Sequence, residues 1–297
     1  MKTLILILLF SSIGFSESIK VGIVDSGIDK THPFFGKRKI ILENFVKNEE
    51  SEQDFDGHGT HVAGIISYRV SKKIIFYSLK NLSASSSTKH QFLPPVNYTD
   101  PEYEKIIDYA ITNKIQVLNF SQIKVWSPTP SADRAFKRAE DAGILIIAAA
   151  GNNKVNLDEV FFDTDKIPYK SVNFYPCAYK YSNVICVGSL HKSKEFHTQY
   201  YINSNYGSYV NLWADGEDVN SSYLHHKYAY MSGSSMAVPK ITALAANLLE
   251  EHPNLSLIEL KAKIFSKLIY IPHLTQFSTK ALFLDENRKI SYVLLDE

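Results

Sequence analysis

Three side chains of the kinds used in nucleophilic catalysis stand close to glycines in this chain: Asp25, His58 and Ser235. A serine hydroxyl is a poor nucleophile near neutral pH, so it needs a base within hydrogen-bond reach, and that base needs a group to orient it. A hydroxyl, an imidazole and a carboxylate can fill these three roles. Because the three residues lie far apart along the chain, only the tertiary fold can bring them together.

The stretch around Ser235 predicts the start of a buried helix. Apolar residues recur after it with helical spacing, and Pro253 ends the run. Pro239 is expected near the first turn, where a missing N–H costs least. The unpaired N–H groups and the dipole of a helix N-terminus suit a serine that carries an anion in a transition state. Serine is also a preferred N-cap, so this stretch alone leaves both roles open.

Asp25 ends a short apolar strand at residues 19–25, and His58 opens a predicted helix. Open α/β sheets place their chemistry at the C-terminal ends of strands, although Asp25 could equally cap its own turn. His61 follows His58 at the helical spacing of a zinc pair. No glutamate follows His58, so a zinc site is disfavoured, and we interpret His61 as a supporting or core histidine.

These motifs together resemble the subtilisin family of serine proteases. The matching stretches are residues 21–29, 56–64, 117–121, 148–152 and 233–239. The order Asp, His, Ser along the chain is the one that subtilisin shows. The resemblance covers residues 19–267 and implies an α/β fold with a mainly parallel central sheet and helices on both faces. The alternation of predicted strands and helices independently favours the same architecture.

The resemblance implies a secreted serine endopeptidase that cleaves a protein or peptide substrate through an acyl-enzyme on Ser235. His58 would act as the base, and Asp25 would orient it and stabilise the imidazolium. The side-chain amide of Asn152 would donate a hydrogen bond to the oxyanion, with the backbone N–H of Ser235 as the second donor.

The resemblance also implies a substrate-binding surface made of two segments. Its residues would be Ser121, Gln122, Ile123, Ala149, Ala150 and Gly151. The family usually has glycines after the serine at position 121, whereas this chain has Gln122, Ile123 and Lys124. We therefore expect the branched side chain of Ile123 either to intrude on the pocket for the substrate's P1 side chain or to push the segment outward. The alternative is that the acidic insertion at residues 158–165 reaches the pocket and favours Lys or Arg at P1.

Other departures from the family concern folding and metal binding. No pro-segment is recognisable between the first residues and the first strand, and the short stretch between Gly64 and Ile74 lacks the Asn-rich loop that holds the family's tight calcium. We expect no cofactor. The alternative is a weak calcium site among the acidic residues of an insertion. Those residues are Asp158, Glu159, Asp163 and Asp165.

Length and composition are typical of one globular domain. The chain has 297 residues, of which 45% are hydrophobic and 21% charged. We assign residues 17–297 to one catalytic domain that ends in a tail of uncertain structure at residues 268–297, and we expect a monomer. The formal net charge of +1 gives no electrostatic reason to expect a nucleic acid or an anionic membrane as partner.

The first residues predict a secretory signal peptide. A basic start at Lys2 precedes an apolar run at residues 4–10 and several small residues. We predict a signal peptide over residues 1–16 and therefore an extracellular or periplasmic protein. The apolar run is too short to span a membrane, and no later run reaches spanning length.

The chain has two cysteines. In an exported protein, Cys177 and Cys186 could form a disulfide that closes a short loop, and two free thiols remain the alternative.

Ser131 is predicted to cap one helix, and Ser256 with Glu259 to form a capping box that opens the last one.

Two other functions remain open on the sequence alone. A catalytically silent relative could bind peptides or a partner protein, which the altered substrate segment and the missing pro-segment would favour. Transfer of the acyl group to an amine instead of water would use the same acyl-enzyme, so the sequence does not distinguish it from hydrolysis.

Overall fold

The computed structural model describes residues 18–83, 101–125, 128–159, 173–192, 200–202, 204–270 and 282–284. The predicted signal peptide and the acidic residues Asp163 and Asp165 lie outside these ranges. Within them, no helix combines the length and the apolar character needed to cross a membrane.

A ten-stranded sheet, counted over the described residues, forms the centre of the fold. All the strands, in chain order, are β1 (Lys20–Asp25), β2 (Ile40–Asn44), β3 (Ile75–Lys80), β4 (Val117–Phe120), β5 (Lys124–Val125), β6 (Leu145–Ala149), β7 (Phe174–Tyr175), β8 (Val184–Lys192), β9 (Tyr200–Ile202), β10 (Leu212–Asp215), β11 (Val219–Tyr223), β12 (Lys227–Met231), β13 (Ile269–Tyr270) and β14 (Leu282–Leu284). Two small antiparallel pairs, β5 with β7 and β11 with β12, lie outside the sheet.

The sheet is mainly parallel, which confirms the predicted fold class. Eight strands run parallel in the order β14-β10-β8-β6-β4-β1-β3-β2, while β13 and β9 join β14 and β8 as antiparallel partners. Strand β6 is apolar at every position and fully buried, as expected for a parallel strand covered on both faces.

Helices cover both faces of the sheet. They are α1 (His58–Arg69), α2 (Pro101–Thr112), α3 (Pro130–Asp141), α4 (Ser234–Glu251) and α5 (Leu257–Ser266). One apolar cluster joins residues of α1, α4 and α5 to the sheet, and a second joins residues of α2 and α3 to the opposite face. Strand β1 shows the alternation, because Val21 and Ile23 belong to the first cluster and Val24 to the second.

The helix ends agree with the sequence in part. Ser256 and Glu259 form the predicted capping box at α5. The prediction that Ser131 caps α3 is wrong: the side chain of Thr129 accepts from the N–H of Ala132, and Pro130 occupies the first helical position, where its ring favours the helical φ. Helix α4 begins at Ser234, which puts Pro239 in its second turn and not in its first.

A buried arginine binds the backbone carbonyls at the C-terminal end of α1. The guanidinium of Arg38, only 6% exposed, donates to the backbone carbonyls of Ser67, Val70, Ser71 and Ile74. The carbonyls at a helix C-terminus have no partner within the helix and need donors from elsewhere. Burial lowers the pKa of Arg38 to about 10, while the nearby Glu250 opposes the shift. The guanidinium therefore stays charged at neutral pH.

Candidate active site

The strand order creates a place for chemistry between β1 and β4. From β1 the chain builds β2 and β3 on one side, then crosses back to build β4, β6 and β8 on the other. Crevices at such reversal points, outside the C-terminal ends of the strands, are where open α/β sheets bind ligands. Asp25 ends β1, and Ser121 directly follows β4, in which Phe120 pairs with Val24.

Asp25 and His58 form a close pair in this crevice. The Nδ1 atom of His58 lies 2.8 Å from Oδ1 of Asp25, whose side chain is fully buried. The same Oδ1 accepts the backbone N–H of Ser26 at 2.8 Å, while Oδ2 has no hydrogen-bond partner among the described residues. Such a pair holds the imidazole in the tautomer that leaves Nε2 free to accept a proton.

The charges around His58 favour its protonated form. Burial by itself would lower the pKa of His58, but the carboxylate of Asp25, through its charge and its hydrogen bond, and the charges of Asp56 and Asp54 raise it above the ordinary value. The site is therefore arranged to stabilise an imidazolium, which is the form that a general base takes after it accepts a proton.

Ser235 lies at the N-terminus of α4, as predicted, beside the end of β4. Its Oγ donates to the backbone carbonyl of Ser121 at 2.7 Å, and over the residues that the structure describes this carbonyl, not the imidazole of His58, is its partner. For His58 to take the proton of this hydroxyl, the hydroxyl would have to exchange its present acceptor for the imidazole. Catalytic hydrogen bonds are often incomplete when no substrate is bound.

Pro239 explains how Ser235 is held. A proline has no N–H, so the carbonyl of Ser235, four residues earlier, lacks its helical partner. The hydroxyl of Ser121 donates to that carbonyl at 2.8 Å. Asn119 Nδ2 in turn donates to the Ser121 hydroxyl at 2.9 Å, and Thr242 of α4 donates to Asn119 Oδ1 at 2.8 Å. The end of β4 and the first turns of α4 are thus joined by a chain of buried hydrogen bonds.

Asn119 and Thr242 were not singled out in the sequence. Both are fully buried polar residues. The one available signal was a polar asparagine inside the otherwise apolar strand β4, since a buried polar side chain must find partners.

The amide of Asn152 has one defined orientation. Its Oδ1 accepts the backbone N–H of Ser234 at 2.7 Å and the Ser234 hydroxyl at 3.0 Å. The same hydroxyl accepts the N–H of Gly151 at 3.1 Å. Because the oxygen is engaged on this side, the Nδ2 donor is left for another acceptor. Gly233 has φ 142°, and a Cβ there would lie 2.8 Å from Asn152 Nδ2, so this approach requires glycine.

The two predicted substrate segments lie side by side. A Cβ added to Gly151 would lie 2.9 Å from Cδ1 of Ile123, so the isoleucine side chain reaches the neighbouring segment. Gln122 points into the protein, where its Nε2 donates to Asn81 Oδ1 at 2.8 Å. Ala149 and Ala150 are buried. Of these side chains, Ile123 is the one that narrows the space between the segments.

The cysteines form the disulfide that the sequence left open. Cys177 and Cys186 are bonded to each other, and both side chains are buried. Cys186 lies in β8 and pairs with Ala148 of β6. The disulfide therefore links the segment after β7 to the sheet next to Ala149 and Ala150.

Comparison with known proteins decides the family. The model of the subtilase family, named Peptidase S8, matches residues 16–286. The chain belongs to the subtilase family. It is 28% identical to Subtilisin DY from Bacillus licheniformis in an alignment of 261 residues that covers 84% of this chain and 83% of that protein. It is 30% identical to Subtilisin Savinase from Lederbergia lenta in an alignment of 255 residues that covers 82% of this chain and 81% of that protein.

A longer sequence relative and a solved structure give two further comparisons. The chain is 29% identical to Thermophilic serine proteinase from Bacillus sp. strain AK1, with 80% of this chain covered but only 54% of that protein's length. The crystal structure of a cold adapted subtilisin-like serine proteinase superimposes with a TM-score of 0.72 at 26% identity, covering 91% of this chain and 89% of that one. The sequence and structural relatives together define a family of serine-type endopeptidases.

The raised pKa of His58 generates a prediction about pH. A general base works only when neutral, so we expect the acid limb of the kcat/KM profile to lie above the ordinary histidine value of about 6.5. In Asp25→Asn the charge that raises this pKa is lost, so the limb should move to lower pH. The turnover should fall on the order of 10⁴-fold, because the amide no longer holds the imidazole in the tautomer whose Nε2 accepts a proton. The profiles are measured on a chromogenic peptide.

The matched control is Asp29→Asn, which removes a nearby carboxylate whose Oδ1 accepts from Thr31. This control should leave the acid limb in place. An unchanged limb in the residual activity of Asp25→Asn would contradict the assignment of Asp25 as the partner of the base.

Proposed function

We propose that this chain is a secreted serine endopeptidase that hydrolyses peptide bonds through an acyl-enzyme on Ser235. The observation that carries the proposal is the Asp25–His58 pair at the sheet reversal, with Ser235 at the N-terminus of α4 and bonded to the end of the adjacent strand. The signal-like residues 1–16 support export, and we propose a monomer that acts on protein or peptide substrates outside the cytoplasm.

The mechanism follows from what each group can donate or accept. Neutral His58 takes the hydroxyl proton of Ser235 as its Oγ attacks the substrate carbonyl carbon. The oxyanion that forms would accept hydrogen bonds from Asn152 Nδ2 and from the Ser235 N–H, one of the donors that α4 leaves unpaired at its start. His58 then returns the proton to the leaving amine. Water, activated by the same imidazole, releases the acyl group from Ser235.

A second candidate is a catalytically silent peptide-binding protein. The observation that favours it is the hydrogen bond from Ser235 Oγ to the Ser121 carbonyl, which engages the proton that His58 would have to remove. The intact pair of Asp25 and His58 favours catalysis, because a binding protein has no physical need for a buried carboxylate on an imidazole.

For specificity, we propose that Ile123 restricts the P1 pocket to small side chains. Its Cδ1 atom reaches toward Gly151, across the gap that a P1 side chain would enter. A segment with glycine at this position would leave the gap open. When a pocket loses space for one or two methylene groups, the ratio of kcat/KM between a small and a larger substrate changes about 10–200-fold.

We also propose that stability does not depend on a tight calcium ion. Four carbonyl oxygens gather at the end of α1, where they could serve as cation ligands, but they bind the guanidinium of Arg38 instead. Of the acidic residues considered for a weak site, Asp158 already accepts the N–H and hydroxyl of Ser208. Arg38 thus brings a positive charge of the protein itself to these four carbonyl oxygens.

The first test of the function is Ser235→Ala. Loss of the nucleophile should abolish labelling by a fluorophosphonate probe and lower turnover by about 10⁶, the value known for subtilisin itself. The control is Ser232→Ala, an exposed serine nearby, which should keep both activities. Wild-type protein that folds but takes up no probe would support the silent peptide-binding candidate.

The second test compares Ile123→Gly with the wild type on a peptide library. The glycine variant should gain on Phe and Tyr at P1 relative to Ala, by up to about 10–200-fold, because the pocket is widened. Ile123→Val, which removes a single methylene group, serves as a graded control and should change the ratio less. An unchanged ratio in the glycine variant would mean that Ile123 does not face the pocket.

The third test separates the internal cation from a bound one. A chelator should leave the thermal midpoint of the wild type unchanged, whereas Arg38→Ala should lower the free energy of unfolding by at least about 3 kcal/mol, because several buried carbonyls lose their donors. Arg138→Ala is the control, since that exposed arginine pairs with Asp108 and should contribute less than about 1 kcal/mol. A fall of tens of degrees with chelator would contradict the proposal.

A further inference from the structure

One buried carboxylate outside the catalytic residues collects an unusual number of hydrogen bonds. Asp54 is 5% exposed. Its Oδ1 accepts the hydroxyl of Ser26 at 2.9 Å and the N–H groups of Asp56 and Gly57 at 3.0 and 2.9 Å. Its Oδ2 accepts the N–H and the hydroxyl of Thr60 at 2.9 and 2.6 Å. Both oxygens are thus satisfied by donors of the protein.

The donors come from two elements that carry the two members of the catalytic pair. Ser26 directly follows Asp25, whose Oδ1 accepts its N–H. Gly57 and Thr60 flank His58 at the first turn of α1. The carboxylate of Asp54 therefore bridges the end of β1 and the start of α1, with one oxygen atom bound to both.

Further bonds extend the bridge in both directions. The Ser26 hydroxyl, which donates to Asp54, accepts the N–H of Gly59 at 2.9 Å. The Thr60 hydroxyl, which also donates to Asp54, accepts the N–H of Asp29 at 2.8 Å. The Ser26 hydroxyl therefore binds the start of α1, and the Thr60 hydroxyl of α1 binds the segment after β1. A shift of either element would break both hydrogen bonds.

The backbones at this junction are packed too closely to tolerate side chains. A Cβ added to Gly59 would lie 2.1 Å from the carbonyl oxygen of Gly27, and one added to Gly27 would lie 2.9 Å from the backbone nitrogen of Asp54. Gly27 has φ 119°, a conformation that favours glycine. The loop that carries Asp54 is therefore held against the turn after Asp25 by contact as well as by hydrogen bonds.

We propose that Asp54 is a positioning residue whose carboxylate sets the distance and orientation between Asp25 and His58. The inference rests on the proposed function, since it gives the pair a catalytic role. The physical reason is that the pair comes from two separate elements, and nothing within either one fixes their relative position. Five donors on one buried carboxylate do so at little entropic cost, because Ser26 and Thr60 are already buried.

The test is Asp54→Asn, which keeps the shape but turns one oxygen into a donor that faces other donors. Measured on the pH plateau, kcat should fall on the order of 10²-fold, as expected for a small displacement of reacting groups. KM should change little, because the hydrogen bonds of Asp54 go to residues next to Asp25 and His58 and not to the proposed substrate segments. Working on the plateau removes the separate effect of the lost Asp54 charge on the pKa of His58.

A spectroscopic readout separates positioning from general destabilisation. The proton between His58 Nδ1 and Asp25 should give a far-downfield ¹H resonance in the wild type, and this resonance should weaken or shift in Asp54→Asn. The control is Ser256→Ala, which removes the N-cap of α5 and should cost about 1 kcal/mol of stability. That variant should leave both kcat and the resonance unchanged.

Milder variants keep the test decisive if Asp54→Asn does not fold. Ser26→Ala and Thr60→Val each remove one hydroxyl donor to Asp54, and each should lower kcat with KM retained. Because both hydroxyls would act through the same carboxylate, the loss of kcat in the double variant Ser26→Ala/Thr60→Val should differ from the product of the two single losses. A loss equal to that product would overturn the proposal.

The outcomes also distinguish this inference from the proposed function. If wild-type protein hydrolyses peptides and takes up the fluorophosphonate, while Asp54→Asn keeps a kcat and a downfield resonance close to those of the wild type, only the role of Asp54 is overturned. If the wild type itself shows neither activity, the proposed function fails first.

Discussion

The pairing of β1 with β4 is the constraint on which the rest of the structure depends. These neighbouring parallel strands are not consecutive in the chain, and they meet where the strand order reverses. Because parallel strands end at the same edge, Asp25 and Ser121 are brought side by side, and Ser121 in turn holds Ser235. The register of one strand pair thus brings a carboxylate and a hydroxyl from distant parts of the chain to one crevice.

Around that crevice, buried polar groups are satisfied mainly by one another. Pro239 leaves a helix carbonyl open and Ser121 fills it, while Ser234 orients the amide of Asn152 and Asp54 gathers five donors. An unpaired buried polar group is costly, so each of these contacts favours one arrangement over its alternatives. Oδ2 of Asp25 is an exception, because it has no hydrogen-bond partner in the part of the chain that the structure describes.

Two buried cations anchor the loops that lead into the site. Arg38 binds the carbonyls at the end of α1. Lys80, at the end of β3, donates to Glu49 at 2.5 Å and to the carbonyls of Ser51 and Gln53 at 3.1 and 2.6 Å, which ties down the loop that precedes Asp54. Because these charges belong to side chains, they reach the carbonyl oxygens without the loss of entropy that accompanies the binding of a free ion.

The sequence alone determined the α/β class, the order of the motifs and the elements on which Asp25, His58 and Ser235 lie, because glycine turns, apolar periodicity and helix caps are local signals. It also indicated that Ile123 departs from a glycine-rich segment. Only the tertiary structure decided that the cysteines are bonded, that Gln122 turns inward and that Thr129 caps α3. It alone revealed Asp54 as a bridge, because hydrogen bonds between distant elements leave no periodic trace in the chain.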